Sequence, residues 1–230
     1  HYPLETEVLR DVIEEREKIK VDGEILCPFF KEGGRYTIQD IHYVKYGEEL
    51  IPAAQTEFAK DATFSYHSSD LKEYIEEKTE GKYKAQDVIS ISLEELRGMK
   101  LENIREKLMD AEDFAKIVVN AVDNIDIKIF CIALYRAMRE GKNYLFRTAA
   151  AFVKEMGGIS QKPLLTRNEL IKKKSTAGGL VIVGSHTDKT TKQLKKLLEM
   201  ENMEPVAFDS DLVLQEQAFA EETARTRKKM

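Results

Sequence analysis

The sequence predicts an α/β protein: a largely parallel sheet flanked by helices with a β-hairpin insertion, plus the first βαβ units of a second α/β domain. Three observations carry this reading. Short apolar runs alternate with helical periodicity through the middle of the chain, the pattern of a doubly wound sheet. The run AKIVVNAV, residues 115–122, is apolar almost without a break, as a strand covered on both faces must be. The alternation then restarts at GGLVIVGSHTDKTTKQLKKLLE, residues 178–199, after a polar stretch carrying proline and lysines.

Taken in order, residues 2–20 place Leu4, Val8, Leu9, Val12, Ile13 and Ile19 at helical spacing. Residues 24–30 form a short buried strand stopped by Pro28. Tyr36, Ile38, Ile41, Tyr43 and Val44, with a Gln39-Asp40 turn, give a hairpin. Residues 52–68 are irregular and polar-aromatic, and a loop that long is often functional. Ser69, as N-cap, opens a helix through Lys78. DVISISL, residues 87–93, alternates as a strand, and a charged helix spans 101–113. Residues 125–140 form a helix closed by Gly141. A strand at 143–146 precedes a helix over 148–156, ended by Gly157-Gly158.

Residues 1–158 are read as one partial α/β domain and 159–177 as a linker. The Lys172-Lys173-Lys174 run there is a solvated stretch or an attractor of phosphate. Residues 178–230 begin a second domain: strand 179–184, helix 188–200, strand 205–208 and a charged helical tail.

Composition narrows the function. The 230 residues carry 36 basic and 41 acidic side chains, well mixed, for a net charge of -5. A nucleic-acid binder would show a basic face, so none is expected as partner. No apolar run reaches the roughly 20 residues that span a bilayer, so no membrane role is expected either. There is no signal-peptide pattern at the first residues. Cys27 and Cys131, far apart and without CxxC spacing, read as buried thiols of a reduced, cytoplasmic protein. His1, His42, His67 and His186 lack paired metal spacing, and no metal site is expected.

Chemistry concentrates at the strand ends. Gly184-Ser185 follows an apolar strand and precedes a helix whose N-terminus offers unpaired N–H groups to phosphate. Ser185, Thr187 and Lys189 would supply donors and charge. The stretch is neither a Walker A loop, since Lys189 stands where its second glycine belongs, nor GxGxxG. A tight turn with Thr187 or Asp188 as N-cap is the plainer alternative. Asp123-Asn124 ends the buried strand, facing the ligand edge or capping the next helix. Arg147-Thr148 holds the same kind of position. Its guanidinium suits a carboxylate, or a surface ion pair with Thr148 as cap. Gly33-Gly34-Arg35 offers a second anion clamp, or a solvated loop arginine.

Five stretches together resemble one family: CPFFKEGGRYTIQDIHYV (27–44), AKDATFSYHSSDLKEYIEEKT (59–79), VVNAVDNIDI (118–127), FRTAAAFVKEMGG (146–158) and GGLVIVGSHTDKTTKQL (178–194). Their order and spacing resemble the four-carbon acid sugar kinases, long labelled a domain of unknown function. RTAAAFV and VGSxxxKTxxQL are the most specific. The resemblance implies ATP-dependent phosphorylation of threonate, erythronate or 3-oxo-tetronate, with Mg2+. It implies two α/β domains, the first holding the sugar acid and the second the nucleotide. Arg147 and Arg35 would then clamp the carboxylate, Asp123, Asn124 and Thr148 would meet hydroxyls, and Ser185 would touch ATP.

The departures matter as much. The family's acidic Asp-Asp-x-Thr-Gly motif, its Asp-Ser-Thr-x-Arg-Gly stretch and its later Gly-Gly-Glu-Thr-type loop have no counterpart here. The chain therefore reads as the middle of a longer protein, with the catalytic base unidentified and expected outside it. Isolated catalysis is not expected. A non-catalytic small-acid-binding or assembly module on the same scaffold is the alternative. A nucleotide-binding dehydrogenase is disfavoured by the missing GxGxxG. The sequence leaves a homodimer open.

Overall fold

A computed structural model describes residues 2–61, 63–171, 178–185 and 187–229. His1, His186 and the lysine run at 172–174 lie outside the described residues. Two compact units divide the chain, residues 1–163 and 164–230.

The first unit opens with helix α1 (Leu4–Glu17) and strand β1 (Gly23–Cys27), followed by β2 (Arg35–Ile38), β3 (Ile41–Tyr46) and β4 (Glu49–Pro52). Helix α2 (Leu71–Lys78) leads to β5 (Ile89–Ile91), α3 (Leu93–Arg97), α4 (Leu101–Met109) and β6 (Ala115–Val119). Helix α5 (Asn124–Arg139), β7 (Tyr144–Thr148) and α6 (Ala150–Met156) complete it. The main sheet is parallel in the order β5-β6-β1-β7. The α/β class and the parallel sheet flanked by helices are as the sequence predicts.

Strand β1 is buried along its whole length, as its central place requires. Ile25, Cys27, Ile117, Val119 and Tyr144 share one core with residues of α3 to α6, including Phe130 and Phe152. The alternate residues Leu26 and Val118 form the second core with Tyr2, Leu71, Ile75 and Val88. The connection from β1 to β5 therefore carries α2 on one face, and that from β6 to β7 carries α5 on the other. Adjacent strands β1 and β6 thus send their chains in opposite directions, and their carboxyl ends form a topological switch point.

The hairpin is a three-stranded antiparallel sheet, β2-β3-β4, with β4 paired from Tyr43↔Pro52 to Tyr46↔Glu49. Its Gln39-Asp40 turn has φ of 51° and 65°, the mirror-image geometry that suits a tight hairpin. Gly34 takes φ 66°, and a Cβ there would meet Lys45 Cβ at 3.1 Å. Backbone bonds between Thr37 and Ala121 and from His42 N–H to Ser69 O tie this sheet to the main one.

Several local expectations are corrected. Helix α2 is capped by Asp70, whose carboxylate accepts from Lys72 N and Glu73 N, because Ser69 accepts from Ala54 N instead. Helix α6 begins at Ala150, capped by no side chain, because Thr148 is the last residue of β7. Helix α3, with a Ser92–Glu95 capping box, was not foreseen. Helix α1 forms as expected, but Leu4, Val8, Leu9 and Val12 are exposed. Its inward face is polar because it lies over a buried ion pair. Thr6 donates to Glu24, which pairs with Lys116 at 2.5 Å, both side chains being 1% exposed.

In the second unit, α7 (Arg167–Leu170), α8 (Asp188–Leu198) and α9 (Glu216–Lys229) form. The expected strands at 179–184 and 205–208 do not. A strand is held by a ladder of hydrogen bonds to a neighbour, and among the described residues neither segment has one. Leu180, Val181, Ile182 and Val183 are left exposed.

Candidate functional site

At the switch point a cleft of about 360 Å3 opens between the loop after β1, the start of α5 and the inner side of α6. Lys31 and Glu32 come from the first, Asp123, Asn124 and Lys128 from the second, and Lys154 and Glu155 from the third, with Gln161 beside them. The volume lies at the lower end of small-ligand pockets.

The loop from β6 to α5 is rigid for reasons written in its own side chains. Asp123 caps α5 by accepting from Ile125 N at 3.2 Å. The fully buried Asp126 accepts from Val122 N and Asp123 N, each at 2.9 Å, and pairs with Arg97. Three residues before Asp123, Asn120 Nδ2 donates to Asp40 Oδ1 at 2.7 Å, and Asp40 N–H donates to Asn120 Oδ1 at 2.8 Å. Ser90 Oγ and Lys72 also donate to Asp40.

Charge in the cleft is balanced. Lys31 donates to Asp123 at 2.6 Å across a half-exposed contact. That bond and the Ile125 N–H hold the Asp123 carboxyl below the usual aspartate range. Glu155, 6% exposed, stands 3.0 Å from Lys154 and 3.7 Å from Lys128. Asn124 Oδ1 is buried without a hydrogen-bond partner. The cleft can thus offer ammonium groups to a carboxylate, and amide and carboxylate oxygens to hydroxyls. It holds no nucleophile: the Cys27 and Cys131 thiols are buried, which pushes both up to about 12.

Of the residues singled out in the sequence, Asp123 and Asn124 line this cleft. Arg147 does not. It lies on the opposite face of the sheet, where it pairs with Glu5 and stacks 4.7 Å over Tyr2. Burial lowers its pKa. Arg35 donates to Gly33 O and lies 4.9 Å over Phe58, and Thr148 ends β7 beside Cys27. Sequence reasoning missed Lys31, Lys128, Lys154 and Glu155. The signal existed for the first two: Lys31 follows the most apolar strand end, and Lys128 stands one turn beyond Asn124 on the same helix face.

In the second unit Gly184, Ser185, Thr187 and Lys189 gather at the N-terminus of α8. Thr187 caps the helix, accepting from Thr190 N. Thr190 Oγ1 donates to Ser185 Oγ at 3.1 Å, and Ser185 Oγ lies 3.3 Å from Thr187 Oγ1. These hydroxyls, with the first-turn N–H groups and the exposed Lys189, match the donor chemistry of a phosphate site. Among the described residues no three His, Cys, Asp or Glu side chains cluster as a metal cage, and no helix is long and apolar enough to cross a membrane.

Residues 1–156 match the model of the sugar-binding N-terminal domain family, and the chain belongs to that family. This bears out the resemblance read from the motifs. Two solved structures are similar to it. One is the Haemophilus influenzae protein HI1011, of the family called DUF1537, the four-carbon acid sugar kinases (TM-score 0.46, 16% identity). It matches 82% of this chain and 42% of its own. The other is a Bordetella bronchiseptica DUF1537 domain solved with bound citrate as a domain-swapped dimer (TM-score 0.43, 18% identity), matching 63% and 33%. The chain spans less than half the length of either. None of the curated proteins gives a significant match.

Proposed function

We propose that this chain is the acid-binding part of a cytoplasmic, ATP-dependent kinase for four-carbon sugar acids such as threonate, erythronate or 3-oxo-tetronate. The observation that carries the reading is the lysine-lined cleft at the β1/β6 switch point, in a chain of the sugar-binding family. Lys31, Lys128 and Lys154 neutralise the carboxylate of the acid. Asp123, Asn124 and Gln161 bond its hydroxyls. Phosphoryl transfer demands chiefly such positioning and charge neutralisation. Bound ATP supplies the phosphoryl group, and Ser185, Thr187 and Lys189 hold its phosphates. Mg2+, which binds chiefly through substrate phosphates and few protein ligands, would neutralise their charge.

Calorimetric titration of the protein with threonate and erythronate tests this, repeated with Lys31→Ala and Arg147→Ala. Weakened binding in Lys31→Ala with unchanged binding in Arg147→Ala supports the cleft. The reverse result would move the acid to Arg147, and no binding to the wild type by either acid would remove the reading. A phosphoryl-transfer assay with ATP and Mg2+ across the same acids then separates a kinase from a binding module.

A further inference from the structure

Of the described charged side chains that line the cleft, Glu155 alone is almost wholly buried, at 6% exposed. The packing of α6 puts it there. Phe152, 1% exposed, anchors that helix against Phe130 of α5, with ring centroids 6.2 Å apart. Glu155 stands three residues further on, so it lies on the same helix face, one turn along. The face that α6 turns toward α5 therefore carries a carboxylate to the cleft.

Two ammonium groups meet that carboxylate. Lys154 Nζ lies 3.0 Å from Glu155 Oε1, and Lys128 Nζ lies 3.7 Å from Oε2. Oε1 nevertheless accepts no hydrogen bond. The contact thus holds the Lys154 ammonium by charge and leaves its N–H groups to a ligand. The third lysine of the cleft is matched separately, Lys31 pairing with Asp123 at 2.6 Å. Glu32 is exposed, where water and salt screen it. Around Glu155, then, two positive charges face one negative charge, and one positive charge is left over. A buried carboxylate acts on such neighbours more strongly than an exposed one, because less water lies between them.

We propose that Glu155 is the specificity-determining residue of the cleft and sets the charge of the ligand, admitting one carboxylate and disfavouring a second. The inference rests on the reading of the cleft as the acid site. A four-carbon monoacid brings one negative charge, which matches the positive charge left over. The corresponding diacid, with C4 oxidised to a carboxylate, brings two. Its second carboxylate finds its ammonium partner already taken by Glu155, and the two like charges repel. Without the Glu155 charge, Lys128 and Lys154 would receive both carboxylates, and the preference for the monoacid would disappear.

Calorimetric titration with each monoacid beside its diacid, threonate beside tartrate and erythronate beside meso-tartrate, tests the proposal. The wild type should bind the monoacid more tightly. Glu155→Gln keeps the shape and removes the charge, and should move the ratio of the two affinities at least about tenfold toward the diacid. Lys128→Met should move that ratio the other way, since the diacid loses two attractions and the monoacid one. The Lys128 side chain is 58% exposed, so this variant keeps the test valid if the first fails to fold. A merely structural role would weaken both acids alike and leave the ratio in place. An unchanged ratio in folded Glu155→Gln, or in Lys128→Met where the first does not fold, would overturn the proposal and leave the acid site standing. So would a wild type that binds the diacid as tightly as the monoacid. Binding of neither monoacid to the wild type would remove the acid site itself, and this inference with it.

Discussion

Asp40 and Asn120 hold each other by two hydrogen bonds, backbone N–H to amide oxygen at 2.8 Å and amide nitrogen to carboxylate at 2.7 Å. This pair fastens the turn of the three-stranded insertion to the carboxyl end of β6, three residues before the cleft. Asn120→Ala leaves the Asp40 carboxylate under-bonded in a site only 12% exposed, and should cost about 2–3 kcal/mol. Burial opposes ionisation of Asp40, but the bonds from Ser90, Asn120 and Lys72 outweigh it and keep its pKa below the ordinary 3.8. Its stabilisation is therefore complete above pH 3.8 and is lost as pH falls through the lower folded value. Urea unfolding of wild type and Asn120→Ala at neutral and acid pH checks both statements.

His42 should add a second, separate acid sensitivity. Burial, with the charge of Arg35 added, pushes its imidazole from 6.5 down to about 4. Between those values the unfolded chain takes up a proton that the folded chain refuses, so stability falls as pH drops through this window. The loss is ~2 kcal/mol after allowing for the partial exposure of the ring. His42→Asn should flatten the slope between pH 6.5 and 4, which denaturant midpoints will show. A slope unchanged by the substitution would assign it to other groups.

The Glu24–Lys116 pair is buried on the face covered by α1, and Glu24 Oε1 has no hydrogen-bond partner. Lys116→Met should destabilise by about 3–5 kcal/mol, because it strands a buried carboxylate. Glu24→Met with Lys116→Met should recover most of that loss. Thermal unfolding of the two single variants and the double variant gives the coupling. A double variant as weak as Lys116→Met would show that the pair itself stabilises the fold.

In the cleft, Lys31→Ala should weaken threonate binding about tenfold, the scale of one charge-assisted contact. Asp123→Asn keeps a side-chain cap on α5, so any loss of affinity it causes reflects the carboxylate rather than the helix. Calorimetry reads the affinity, and circular dichroism confirms that α5 is intact. Asp123→Asn binding as well as wild type would take the carboxylate out of ligand recognition.

Ile182, 84% exposed within an apolar and strand-prone stretch, makes residues 179–184 a site of self-association for this chain. Ile182→Lys should raise the concentration at which light scattering reports aggregation, with no change in unfolding midpoint. Equal aggregation of the two proteins would place the adhesive surface elsewhere.

The parts of this protein legible in its sequence are those governed by local periodicity. AKIVVNAV reads as a strand covered on both faces, and its first five residues form β6; NIDIKIFCIALYRAMR reads as a long helix, and Gly141, with φ 103°, as its stop. Asp123 could be placed at the ligand edge because capping and strand-end position are both short-range facts. What the sequence could not supply is anything that depends on which segments meet. Residues 179–184 have every local mark of a strand, yet a strand exists only with a partner, and none stands beside them among the described residues. The stripe on α1 has helical spacing, but the polar layer under it decided that the stripe would point away. Arg147 and Asp123 both end parallel strands, and alternation along β7 alone could not tell that Arg147 points to the face opposite the cleft. Lys31, Lys128 and Lys154 are ordinary charged residues in three separate segments. Only the crossing of chains at the β1/β6 switch point brings them together, because a cleft is a relation between distant residues and not a property of any one stretch.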